Sequence, residues 1–85
     1  MPTLRWRLEF EDPINAAGTT HVTLFDRDRT PSMVAVGSGI GRDGALFDLW
    51  TTLADRREDI NATDHVADSY RVLTGELPTM IRRAD

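Results

Sequence analysis

The chain contains no cysteine, no lysine, no excess of positive charge and no apolar run near the length that crosses a bilayer. Without cysteine there are no disulfides, no thiolate metal sites and no thiol nucleophile, so packing alone must hold the fold. The start, Met1-Pro2-Thr3-Leu4-Arg5, lacks the basic region and continuous apolar segment of a secretory leader, so a cytosolic, non-membrane protein is expected. All ten positive residues are arginine, while aspartate outnumbers glutamate, a composition that fits the codon bias of a GC-rich genome. Arginine also binds phosphate bidentately. A net charge of −4 and a pI near 5.0 nevertheless argue against a dedicated nucleic-acid binder, which usually shows a basic domain.

What remains is globular. Eighty-five residues with 40% hydrophobic and 28% charged content form one domain with a modest core, too small for a dinucleotide-binding unit plus a substrate region. Thr3 to Phe10 alternates strictly, with Leu4, Trp6, Leu8 and Phe10 on one face and Arg5, Arg7 and Glu9 on the other, the signature of a half-buried strand. A Pro-, Asn- and Gly-bearing loop, Asp12 to Gly18, leads to a second strand from His21 to Arg27. The turn Arg29-Thr30-Pro31-Ser32 then opens a third strand from Met33 to Gly37.

Two registers of the first pair keep the apolar face together. One sets Arg5 opposite Arg27; the other sets Glu9 opposite His21 and Arg5 opposite Phe25, and is preferred because it avoids a like-charge pair. Continuing the meander places Val34 and Val36 beside Leu24 on the core face and Met33 and Ala35 on the opposite one. A helix follows from Gly44 to Arg57, capped by Asp43, with Leu46, Leu49, Trp50 and Leu53 on its apolar stripe and Arg56 and Arg57 near its C-terminus. A second helix, capped by Thr63 or Asp64, buries Val66, Tyr70 and Leu73 and ends at Gly75, with Pro78 beyond it. Residues 79–85 are read as a fraying end. The fold class is therefore α+β: a three-stranded antiparallel meander with two helices packed on one face, over residues 1–85 as a single domain. Trp6, Leu8, Leu24, Val36, Leu49, Trp50 and Leu53 form its expected core.

Chemical motifs are sparse. Gly39-Ile40-Gly41-Arg42-Asp43-Gly44 matches G-x-G-x-x-G, but no strand follows the helix, and Asp43 would put a negative charge at the anion site. The glycines Gly37, Gly39 and Gly41 are read instead as residues supplying unusual backbone angles. His65 between Asp64 and Asp68 has no second histidine near it in sequence, and the acidic pair is read as stabilising a helix N-terminus rather than holding a metal. Ser38 sits outside the nucleophile-elbow pattern, and neither histidine has a recognisable serine and carboxylate partner. No catalytic residue, metal ligand or cofactor is expected, and the chain is read as a non-enzyme.

The constellation carried forward is Arg5, Arg7, His21, Phe25, Arg27, Met33 and Ala35 on the open sheet face. Interleaved basic and aromatic residues have three readings: a solvated face with arginine stems lying over Phe25, a protein interface with an arginine rim, or a stacking platform for RNA or single-stranded DNA. The order of three strands and a helix, with Val34-Ala35-Val36-Gly37-Ser38-Gly39 leading to Gly44-Ala45-Leu46-Phe47-Asp48-Leu49, resembles small bacterial domains of double-stranded-RNA-binding-like fold. It is also similar to HicB-type antitoxins, whose sheet enters a helix through a comparable glycine-bearing turn. The resemblance covers residues 3–57, is topological, and implies the same α+β arrangement without carrying over a functional residue. The expected function is a protein-interaction module that self-associates as a homodimer through Phe25, Met33 and Ala35 or through the uncharged third-strand edge, with nucleic-acid binding as the alternative.

Overall fold

The computed structural model describes residues 5–14 and 18–78. The core position of Leu4 and the fraying end at residues 79–85 lie outside the described residues. Strands β1 (Trp6–Glu11), β2 (Thr20–Asp26) and β3 (Met33–Gly39) are followed by helices α1 (Gly41–Asp55) and α2 (Ile60–Thr74). The sheet is antiparallel in the order β1-β2-β3, with the helices on one side of it, so the α+β meander read from the alternation is the observed architecture. Among the described residues no helix is long and apolar enough to cross a membrane.

The β1–β2 register is the one with Arg5 opposite Arg27, not the one preferred on charge grounds. Arg7 faces Phe25, Glu9 faces Thr23 and Glu11 faces His21, and the Arg27 N–H donates to the Arg5 carbonyl at 2.9 Å. The two registers differ by two residues, so the apolar face is the same in both. The Arg5–Arg27 repulsion is avoided because the Arg5 side chain turns to carboxylates contributed by other parts of the chain.

Strand β3 corrects a second expectation. Leu24 pairs with Ala35 but Phe25 pairs with Met33, so Val34 is an extra residue and the strand is bulged. Downstream of the bulge, Ala35 and Gly37 face the core and Val36 does not: Ala35 is 4% exposed and Val36 44%. The reason is steric. A Cβ on Gly37 would sit 2.5 Å from the Leu49 backbone nitrogen and collide with the Ala45 carbonyl oxygen, and one on Gly39 would sit 2.5 Å from the Gly44 carbonyl carbon. Valine at the Gly37 position would force α1 off the sheet. Gly37 and Gly39 therefore serve close approach, and of the three glycines read as conformational only Gly41, at φ +74°, has a positive φ.

Helix α1 starts three residues before the expected Gly44. Ile40 occupies the cap position and offers no capping side chain, while Asp43 lies inside the first turn, where it still favours the helix dipole. The helix ends at Asp55, so Arg56 forms the cap and Arg57 follows at φ 53°. Helix α2 starts earlier too, because Asp59 rather than Thr63 or Asp64 is its cap, accepting the Asn61 N–H at 2.9 Å. Its C-terminal glycine is as expected: Gly75 adopts the left-handed conformation and its N–H donates to the Arg71 carbonyl at 2.7 Å.

The core consists of Val22, Leu24 and Ala35 from the sheet, Ala45, Leu46, Leu49 and Leu53 from α1, and Ala62 and Val66 from α2. Trp6, Leu8, Phe10, Trp50 and Tyr70 are only partly buried against it, and Leu73, expected on the buried stripe, is 51% exposed. Helix α2 packs chiefly on α1 rather than on the strands, which leaves β1 thinly covered. Gly37→Ala is expected to destabilise the fold by about 3 kcal/mol or more through overpacking against backbone. At Gly44 the nearest atom to an added Cβ is 3.5 Å away, so Gly44→Ala is expected to stabilise by up to about 1 kcal/mol. Urea unfolding of the two variants reads both signs.

Candidate interaction surface

The seven residues singled out in the sequence do not share one face. Ala35 is buried under α1, and Arg27 lies in the turn beyond β2, exposed, with its Nε 3.7 Å from Asp28. Arg5 leaves the open face altogether. Its Nε and Nη2 donate to the two oxygens of Asp26 at 3.1 and 3.2 Å, and its guanidinium lies 4.4 Å from the Trp6 ring centroid. Asp28 and Asp59 stand 3.6 and 3.7 Å from the same guanidinium.

Asp26 is the centre of this cluster. Its side chain is 7% exposed, and it also accepts the Asp28 N–H at 2.9 Å. The hydrogen bonds from Arg5 hold its carboxyl below the usual aspartate range, against the opposing effect of burial. The same pairing raises the Arg5 guanidinium further above its ordinary value. One arginine thus ties the start of β1 to the β2–β3 turn and to the cap of α2, a structural role that sequence spacing alone did not disclose.

Arg7, His21, Phe25 and Met33 remain on the open face. Arg7 lies over the Phe25 ring at 4.7 Å and 3.6 Å from Glu9, so Phe25 is half-buried by the arginine stem. Met33 is 54% exposed, and Val36, missed in the sequence reading, adds its isopropyl group to the same face. His21 Nδ1 and the Ser38 hydroxyl are hydrogen-bonded at 2.7 Å, the donor being set by the imidazole tautomer. Sequence reasoning also missed this pair, because it is made by cross-strand pairing of residues seventeen positions apart. It lies on exposed sheet surface.

A groove of about 470 Å³ opens where α2 diverges from β1. Leu8, Phe10, Leu46, Val72 and Leu73 make its apolar lining, with Arg42, His65 and Asp68 among its polar residues. Arg42 stacks over Phe10 at 4.8 Å and donates to both oxygens of Asp12, at 3.2 and 2.7 Å. Partial burial lowers the His65 pKa, which Asp68 counteracts, so the imidazole favours its neutral form at pH 7. Val72 is 83% exposed, and Leu73, expected on the buried stripe with Val66 and Tyr70, stands beside it at the groove wall.

The Gly39 to Gly44 segment packs its own backbone together rather than opening a phosphate cradle. Among the described residues no three His, Cys, Asp or Glu side chains gather closely enough to hold a metal ion. Arg5, Arg7, Arg27, Arg29, Arg42 and Arg71 each face a carboxylate, with closest approaches between 2.7 and 3.8 Å. No family model, curated protein or solved structure matches this chain.

The Asp26 cluster carries a pH prediction. A carboxyl whose pKa is depressed on folding contributes stability that is present above its unfolded value, about 3.9, and is lost as pH falls through the folded value. The urea midpoint of the protein is therefore expected to fall on acidification below about pH 4, and more steeply than that of an Asp26→Asn variant. Equal slopes in the two proteins would remove Asp26 from the account.

Proposed function

We propose that this chain is a non-enzymatic protein-interaction module that self-associates. The observation that carries the reading is the apolar groove between β1 and α2, with Val72 and Leu73 exposed at its wall. Met33 and Val36 on the open sheet face extend the exposed apolar surface. The topological likeness to HicB-type antitoxins is in keeping with an interaction role and supplies no site.

Nucleic-acid binding is the weaker reading because of charge. The arginines that would meet phosphates already face carboxylates of the same chain, so each phosphate contact would have to replace an existing ion pair. Sedimentation equilibrium at about 100 µM is expected to give a dimer mass that falls on dilution. Titration with a fluorescent oligonucleotide is expected to show no salt-sensitive binding tighter than about 10 µM. A monomer that binds the oligonucleotide with a steep salt dependence would reverse the ranking.

A further inference from the structure

The hydrogen bond from the Arg27 N–H to the Arg5 carbonyl fixes the phase of the β1–β2 ladder. Because antiparallel pairs alternate, Arg7, Glu9 and Glu11 direct their backbone groups to β2, while Trp6, Leu8 and Phe10 direct theirs outward. The opposite edge is blunted. On β3 the outward Ser38 N–H donates to Asp48 Oδ2 at 2.9 Å, and the bulge at Val34 interrupts the ladder, so the edge favoured by its lack of charge is the less suited to pairing. Strand β1 carries no bulge, and its outward edge adjoins the groove that begins at Leu8 and Phe10.

We propose that the β1 edge is the self-association site, where β1 pairs antiparallel with β1 of a second copy about a two-fold axis at Leu8. The inference rests on the self-association reading and names its surface. In this register Leu8 meets the second copy's Leu8, and Trp6 meets the second copy's Phe10. All three outward residues then pair through their backbone groups, and the two meanders become one six-stranded sheet. On the open face Arg7 stands opposite the second copy's Glu9, and Glu9 opposite its Arg7, so the strand is complementary in charge to itself. The neighbouring registers each place a like-charge pair on the axis. Moving the axis to Arg7 sets two arginines against each other, moving it to Glu9 sets two glutamates against each other, and either shift pairs two of the outward residues instead of three. The Trp6 and Phe10 rings, half-buried in one copy, gain cross-strand apolar contact, and the groove beside them is covered.

Charge exchange tests the register. Arg7 and Glu9 are 66% and 55% exposed at the side chain, so either can be reversed without unfolding the domain, as far-UV circular dichroism of each variant would verify. In sedimentation equilibrium, Glu9→Arg and Arg7→Glu are each expected to weaken the dimer about tenfold, through two like-charge pairs across the seam. The double variant Arg7→Glu/Glu9→Arg restores complementarity and is expected to return the dimer constant to within about threefold of the original. The backbone amides of Leu8 and Phe10 are expected to exchange more slowly as concentration rises. A double variant no tighter than either single one overturns the β1 seam. A dimer indifferent to both charges yet lost in Met33→Asp also overturns the seam and leaves self-association standing, with the open face as its surface. A monomeric parent protein overturns both.

Discussion

The contact on which the rest of the molecule depends is the approach of α1 to β3 at Gly37. With no side chain there, the Ala45 and Leu49 backbone lies directly against the strand. That approach sets the depth of α1, and with it the insertion of Leu46, Leu49 and Leu53 among Val22, Leu24 and Ala35. Close packing makes such a position discrete rather than adjustable, since a single added methyl has nowhere to go. Helix α2, held through Ala62 and Val66, inherits its placement from α1, and its far end stands away from the sheet. The groove beside β1 is thus a consequence of where the two helices are anchored.

The second constraint is electrostatic. A buried carboxylate is tolerated only when paired, and Asp26 is paired by the bidentate Arg5 and by a backbone N–H. Drawing Arg5 to that point removes a basic group from the open face and allows a register in which Arg5 and Arg27 stand opposite one another across the strand pair. The surface that remains pairs Arg7 with Glu9 and is partly apolar. Arg7 covers Phe25 and faces Glu9, so the side of the sheet that resembled a stacking platform carries one ion-paired arginine beside the exposed Met33 and Val36.

The two sheet edges differ for reasons that side-chain composition conceals. Strand β3 is uncharged but is protected by a bulge and by the Asp48 carboxylate bonded to Ser38. Strand β1 carries charges on its open face yet presents uninterrupted outward backbone groups beside an apolar groove. The bulge and the capped backbone N–H of β3, rather than hydrophobicity of the edge strand, therefore distinguish the two edges.

The sequence by itself determined the elements, because side-chain periodicity is a local property. The alternation of Trp6, Leu8 and Phe10, the stripe of Leu46, Leu49 and Leu53, and the left-handed stop at Gly75 each follow from a few neighbouring residues, and the α+β meander follows from their order. Of the candidate surface, Arg7, His21, Phe25 and Met33 were legible for the same reason. The register, the exchange of Val36 for Ala35 on the core face, the loss of Arg5 to Asp26 and the His21–Ser38 pair were decided by the tertiary structure. Each depends on partners far apart in the chain: a glycine against the helix backbone at Ala45 and Leu49, a carboxylate twenty-one residues away, a hydroxyl on the next strand. Local pattern states which face of a strand is apolar, but only packing and pairing with distant groups decide which residue fills that face and which charge is free to leave it.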